Sequence, residues 1–217
     1  HHAGKSGLHG GGGEWKVSKQ RLKWEILEAV QKGAQEFGVE PRADFNDGSN
    51  EGSGFFEVNQ NGGVRWNTAK GFLRPALKRP NLRLITHAET RSILLEGKRA
   101  AGVTFTVKGQ ERTARAEREV LLAAGAINSP KILELSGIGN GAVLSQHGIE
   151  VKHERAGVGE NLQDHLEFYF QFRCNKPITL NGKLDWWSKL KIGVRWILTK
   201  KGLGATNHFE SCGFIRS

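Results

Sequence analysis

Apolar residues recur at helical spacing from Leu22 through Ile26, Val30 and Ala34 to Phe37, which predicts one helix over residues 18–38 with that stripe in the core. Ser18 stands where an N-cap belongs and Gly38 where the chain would leave the helix. The pattern then changes. Asp44–Gly54 is a polar turn cluster whose alternating acids lack the spacing and terminal Glu of a calcium loop. "FFEVNQNGGVRWN" predicts a hairpin about Asn61-Gly62-Gly63, and "TAKGFLRPAL" a short helix ended or kinked near Pro75.

Alternation dominates the next stretch. "NLRLITHA" predicts a strand, and residues 90–126 an antiparallel meander with turns at Glu96-Gly97-Lys98 and Lys108-Gly109-Gln110. The continuous apolar run Val120–Ala124 predicts a strand covered on both faces in a parallel sheet. Ser129 and Pro130 then suit an N-cap and a first helical position, Ile132, Leu133 and Leu135 a packed helix, and Gly137 its exit. "VLSQHG" reads as a short helical piece, and "VGENLQDHLEFYFQFRC" as a loop ending in an alternating strand. Residues 184–200 carry a helical stripe, and "ATNHFESCGFIRS" returns to strand character. Together these elements predict an α/β protein with mixed sheets and α+β character.

Composition narrows the class. The 217 residues are 25% charged and 37% hydrophobic, as in a folded globular chain, and no run of about 18 apolar residues suggests a membrane span. The formal charge is +10, but the 32 Lys and Arg are spread along the chain without a nucleic-acid-binding motif, so nucleic acid is not expected as a partner. A non-catalytic basic binding module is the alternative from another functional class. Cys174 and Cys212 have neither metal spacing nor a disulfide framework, so two reduced thiols in the cytoplasm are expected. The Gly- and His-rich start reads as a loop in which His1 and His2 find no further ligands, so no metal is expected. The chain has no Met and breaks off in a strand-like run, so it is expected to be the middle of a longer protein.

The densest chemistry lies in "GAINSPKILELSGIG", Gly125 to Gly139. Gly125 and Ala126 carry almost no side chain after the apolar run, so a ligand can approach bare backbone there. In an open parallel sheet that corner is where a nucleotide lies. Yet no glycine fingerprint for a pyrophosphate occurs in the right context. Gly137–Ala142 fits G-x-G-x-x-A only as a string, because it follows a helix, and Gly157-Val-Gly159 has no third glycine.

At every constrained position this segment resembles the second signature of the glucose–methanol–choline (GMC) oxidoreductases, flavoenzymes that oxidise alcohols with FAD. "RWNTAKGFLRPALKRPNLRLIT", "ILLEGKRAAGV" and "GVGENLQDHLE" resemble the family in the same order. The resemblance implies that residues 61–160 are the middle of a Rossmann-like FAD-binding domain with its meander. It also implies that 1–60 are a substrate-domain or linker portion and 161–217 part of a substrate-binding domain with antiparallel sheet and helices. The missing fingerprint is then a matter of which part of the family this chain covers. The isolated 217 residues are expected to be catalytically inactive, with no catalytic residue among them.

By the same resemblance, the backbone of Ala88, Glu89 and Thr90 meets the adenine of FAD, and Ala124 and Gly125 border its adenosine half. Trp66, Asn67 and Thr68 sit beside the flavin, while Asn161, Asp164 and His165 fall in the family's "NLQDH" loop. His165 is expected to be structural, because the family's base lies elsewhere. "GLGATNHFESCGFIRS" resembles the choline-oxidising branch, which implies that Glu210 faces the substrate's trimethylammonium group. A quaternary ammonium donates no hydrogen bonds, so a carboxylate and aromatic faces suit it. Phe209 and Phe214 are candidate rings, with Phe209 on the opposite side of a strand from Glu210. The implied reaction is choline to betaine aldehyde by hydride transfer to flavin, with an uncharged aliphatic alcohol as the alternative substrate.

"KLDWWSKLKIGVRWILTKKG" places Leu184, Trp187, Leu190, Val194 and Ile197 on one helical face beside Lys189, Lys191, Arg195 and Lys200. Packing against the substrate domain is the first expectation for that face. Peripheral contact with the inner face of a membrane, with a quinone taking the electrons, is the second.

Overall fold

The computed structural model describes residues 1–216. The chain forms two units, one built from His1–Arg83 together with the chain from Gln171 onward, the other from Leu84–Phe170.

Alternation and two tight turns build the centre of the second unit. Strands Ala88–Glu96, Arg99–Val107 and Gln110–Arg115 pair antiparallel in sequence order, with Ala88 opposite Val107 and Val107 opposite Gln110. Lys108 and Gly109 both take positive φ (51° and 77°), the primed geometry whose twist matches a two-residue hairpin. Ile93, Ala101 and Phe105 are buried on the inner strands. The outer strand is exposed throughout and carries Glu111, Arg112 and Arg115, charges that keep an edge from pairing further.

A helix over Gly125–Leu135 packs on the first strand through Ile132. The buried hydroxyl of Ser136 joins the two elements: it donates to the Ile132 carbonyl at 2.5 Å and accepts the Ile93 N–H at 2.8 Å. Gly137 (φ +82°) exits the helix as expected, and a two-residue parallel pairing of Ile138–Gly139 with His153–Glu154 follows. Asn140 caps the Gly141–Gln146 helix, which buries Leu144 to 1% exposure.

Several expectations for this stretch of the chain are corrected. The Gly125–Leu135 helix begins before Ser129, whose Oγ instead accepts the Ala124 N–H at 3.1 Å, so Pro130 lies inside the helix. Leu135 points to solvent. Val120–Ala124 forms no strand, and Leu121 is 82% exposed. A central parallel strand needs a partner on each edge, and among the described residues none pairs with this run. For the same reason residues 82–86 and the aromatic stretch 166–172 are unpaired and exposed rather than strands.

In the first unit, small residues let three strands close up. Gly52–Phe55 lies between Pro41–Arg42, parallel to it, and Ser211–Phe214, antiparallel to it. A Cβ at Gly52 would stand 2.6 Å from the Glu40 carbonyl oxygen, so this central strand tolerates nothing larger there. The predicted hairpin is present: Gln60–Asn61 pairs with Val64–Arg65 across Gly62 and Gly63, both at positive φ. The helical piece over Ala69–Ala76 is also present, its first turn wide, with Pro75 in its last one.

The first helix is shorter than its periodicity predicts. It spans Glu25–Glu36, because Ser18–Lys19 pairs with Glu57–Val58 as a strand and the Ser18 hydroxyl donates to the Gln60 carbonyl. Its docked face is also different. Gln31 is buried and donates to the Gly54 carbonyl at 3.1 Å, while Val30 and Phe37 face solvent, Phe37 at 87% exposure. A second helix, Trp186–Thr199, is capped by Asp185, whose carboxyl the Ser188 side chain and backbone hold below its ordinary range. Both cysteines are free, and burial pushes the Cys212 thiol up.

Candidate functional site

In the second unit a groove of about 550 Å3 begins at Ala126, the residue after the Gly125 corner. One wall is the start of the helix, from Ala126 to Glu134; the other is the loop Gly159–Gln163. Gly125 has φ +87°, a region L-residues rarely adopt, and a Cβ there would meet nothing within 4 Å. The corner is therefore open and its backbone bare. Asn161, also at positive φ (57°), lines the same groove. Two segments singled out separately in the sequence are thus brought together.

Other predicted residues stand apart from that groove. Ala88, Glu89 and Thr90 open the first meander strand opposite Val107, Thr106 and Phe105, and Glu89 pairs with Arg91 at 3.3 Å. Asp164 accepts the His165 N–H at 2.8 Å, and both residues are exposed. Where the string Gly137–Ala142 imitates a phosphate loop, the chain supplies its own anion: Glu154 accepts the Gly141 N–H at 2.9 Å and Asn140 accepts the Ala142 N–H. That helix start is filled, which agrees with reading it as a turn.

In the first unit Trp66 donates its indole N–H to the Glu14 carbonyl at 2.7 Å, and Asn67 accepts the Lys70 N–H at 3.0 Å. Thr68 lines a shallow groove with Phe72 and Ala76.

Glu210 lies beside a cleft of about 560 Å3, walled by Phe56, Trp196, Thr206, His208 and Phe209 among others. It is 7% exposed and immediately precedes the Ser211–Phe214 strand. The Thr206 hydroxyl donates to its carboxylate, and its backbone carbonyl accepts from the Phe56 N–H and the Gln20 amide. Among the described residues no Lys, Arg or His side chain pairs with Glu210. A buried carboxylate without a cation is costly unless something positive arrives. Of the two candidate rings, Phe209 lines the cleft, but Phe214 packs edge-on against Phe45 at 5.3 Å.

Sequence reasoning missed three members of this cleft. Thr206 holds the carboxylate from four residues upstream, Gln20 reaches the Glu210 backbone carbonyl from the distant N-terminal segment with its own Oε1 buried and unpartnered, and Trp196 presents a ring that already carries Lys200 at 4.0 Å. The Thr–Glu spacing is the one local signal that was available.

The Trp186–Thr199 helix packs inward through Ile192 and Trp196, both within van der Waals reach of Gly204. Its predicted stripe faces out instead: Trp187, Leu190, Val194 and Ile197 are exposed, together with Trp186 and Leu198. At the chain start, acidic and imidazole side chains from elsewhere in the first unit gather at His1 and His2. Glu57, His9 and Asp44 close on them, and the Asn46 N–H and the His9 ring hold the Asp44 carboxyl below its ordinary range.

The GMC oxidoreductase family model matches residues 13–167. A protein of Brucella anthropi named oxygen-dependent choline dehydrogenase is 48% identical over 214 residues, 99% of this chain and 39% of its own length. One of the same name from Vibrio vulnificus is 52% identical over 88% of this chain and 34% of itself. A solved FAD-dependent oxidoreductase from Chaetomium thermophilum matches with a TM-score of 0.84 at 25% identity, over 97% of this chain and 38% of its own. The chain thus spans about two fifths of the curated relatives' length.

Proposed function

The chain belongs to the GMC oxidoreductase family, and from that premise we propose that, in the complete enzyme, it helps form an FAD site that oxidises choline to betaine aldehyde. When bound, FAD supplies the acceptor for the hydride that leaves the alcohol carbon. The residues offered to it fit a nucleotide: an open glycine corner, a groove beside it, and Asn161 at the groove's other wall. Ala124 and Gly125 would border the adenosine half, and Ala88, Glu89 and Thr90 would present backbone to the adenine. Trp66, Asn67 and Thr68 would lie toward the flavin, with Asp164 fixing the loop that carries Asn161. Residues 61–160 would then belong to the FAD-binding domain, 1–60 to a substrate-domain or linker portion, and 161–217 to a substrate-binding portion.

One observation carries the substrate: Glu210 is buried beside a cleft and, among the described residues, forms no ion pair, the one arginine of the cleft wall being Arg65. A trimethylammonium group would supply that charge, and Phe209 in the cleft wall is a face a cation prefers, the Trp196 ring already carrying Lys200. The test uses the complete enzyme. It is expected to reduce a redox dye when choline is supplied, and a Gly125→Leu variant is expected to hold FAD about tenfold more weakly by flavin fluorescence, for a loss of about 1.4 kcal/mol. Unchanged FAD affinity would remove the corner from the cofactor site, and no choline-dependent reduction would remove the substrate.

For the partner of the exposed helix we favour an anionic membrane surface over internal packing. Its apolar arc (Trp186, Ile197, Leu190, Val194, Trp187 and Leu198 in angular order) is flanked by Lys191 and Arg195 on one side and by Lys189 and Lys200 on the other. Among the described residues no helix is long and apolar enough to cross a membrane. Contact of this kind would bring the enzyme to a membrane quinone. The protein is expected to co-sediment with phosphatidylglycerol vesicles at low salt, and Leu190→Glu with Ile197→Glu should abolish it. Recovery in the supernatant at every salt concentration would show that the face is a packing face.

A further inference from the structure

The N-terminal loop gathers side chains that the flavin reading does not use. His1 Nε2 lies 2.5 Å from Glu57 Oε2, and His2 Nε2 contacts the other oxygen of the same carboxylate. His9 stacks on the His1 ring at a centroid distance of 4.0 Å and places its Nε2 2.6 Å from Asp44 Oδ2. The side chains are between 7% and 26% exposed, so water competes weakly for them. One ligand atom from each of His1, His2 and Glu57 falls within 4.8 Å of the other two.

We propose that His1, His2 and Glu57 bind one divalent transition-metal ion of the Zn2+ class, with the Asp44–His9 pair seated behind His1 to fix its ring. The donor set argues for that class. Two imidazole nitrogens and a carboxylate are the ligands that Zn2+ and its neighbours take, whereas Ca2+ and Mg2+ ask for oxygen alone. The partners come from separate, positioned segments. Glu57 is on the strand paired with Ser18–Lys19, Asp44 is held by its turn through the Asn46 N–H, and Ser6 Oγ fixes the loop by accepting the His9 N–H. Bound metal would staple the glycine-rich start of the chain to that strand.

Zn2+ titrated into the metal-stripped chain by calorimetry is expected to bind with one equivalent, and Co2+ to give visible absorption at the same stoichiometry. Glu57→Gln and His2→Ala should each weaken Zn2+ by about tenfold or more, and Asp44→Asn by less. His147→Ala, in the other unit, should change nothing. Far-UV circular dichroism checks that each variant is folded, and His2 is the most exposed ligand, so its loss is the least disruptive to the fold. The proposal is overturned by no saturable uptake, by undiminished affinity in both His2→Ala and Glu57→Gln, or by an Asp44→Asn loss larger than that of Glu57→Gln.

Discussion

Exchange of Glu210 for Gln in the complete enzyme is expected to raise the KM for choline about a hundredfold while leaving an uncharged isostere of the same shape nearly unaffected. Two unit charges about 5 Å apart at an effective dielectric of about 20 attract by roughly 3 kcal/mol, which is a factor of about a hundred. Glu210 is suited to the effect because it is buried and no cationic side chain of the described residues forms an ion pair with it. Gln keeps the volume and an acceptor for the Thr206 hydroxyl, so the fold should survive the change. The measurement compares steady-state constants for choline and for 3,3-dimethylbutan-1-ol, whose quaternary carbon replaces the nitrogen. An equal loss for both would remove the charge argument and favour an enzyme for uncharged alcohols.

Gly137→Ala is expected to destabilise the protein by about 3 kcal/mol, lowering Tm by roughly 6–12 °C for a chain of this size. Two costs add. The backbone sits at φ +82°, and a Cβ would stand 2.5 Å from the Glu150 carbonyl oxygen with Lys152 Cγ at 3.0 Å. The carbonyl cannot retreat freely, because the Gly137 oxygen itself accepts the Lys152 and His153 N–H groups across the same approach. Gly148→Ala is the control: it has a similar φ of +68° but open space around the added atom. Its loss should be near 1 kcal/mol, from strain alone. Matching losses at the two positions would show that conformation, not the close approach, sets the cost.

Much of the second unit was legible because its signals are local. The Lys108-Gly109 turn, the alternation on either side of it and the glycine exit at Gly137 each act within a few residues, and the structure holds all three. The GMC signature was legible for the same reason, since it is a run of neighbours. Helix starts were less so. Ser18 and Ser129 have the chemistry of caps, but Ser18 is taken into a strand pair and Ser129 bonds back to Ala124 from within a helix already begun. In both cases a contact made elsewhere outcompeted the local preference.

By itself the sequence determined the turns, the meander, the family and the bare-backbone corner at Gly125, because dihedral preference and side-chain size are properties of a residue and its immediate neighbours. Only the tertiary structure decided that Val120–Ala124 goes unpaired among the described residues, that Gln31 rather than Val30 docks the first helix, and that Thr206 and Gln20 converge on Glu210. It also decided that His1 and His2 meet Glu57, 55 and more residues away. Pairing, burial and ligand convergence depend on which distant segments arrive at the same place, and no spacing along the chain encodes that arrival.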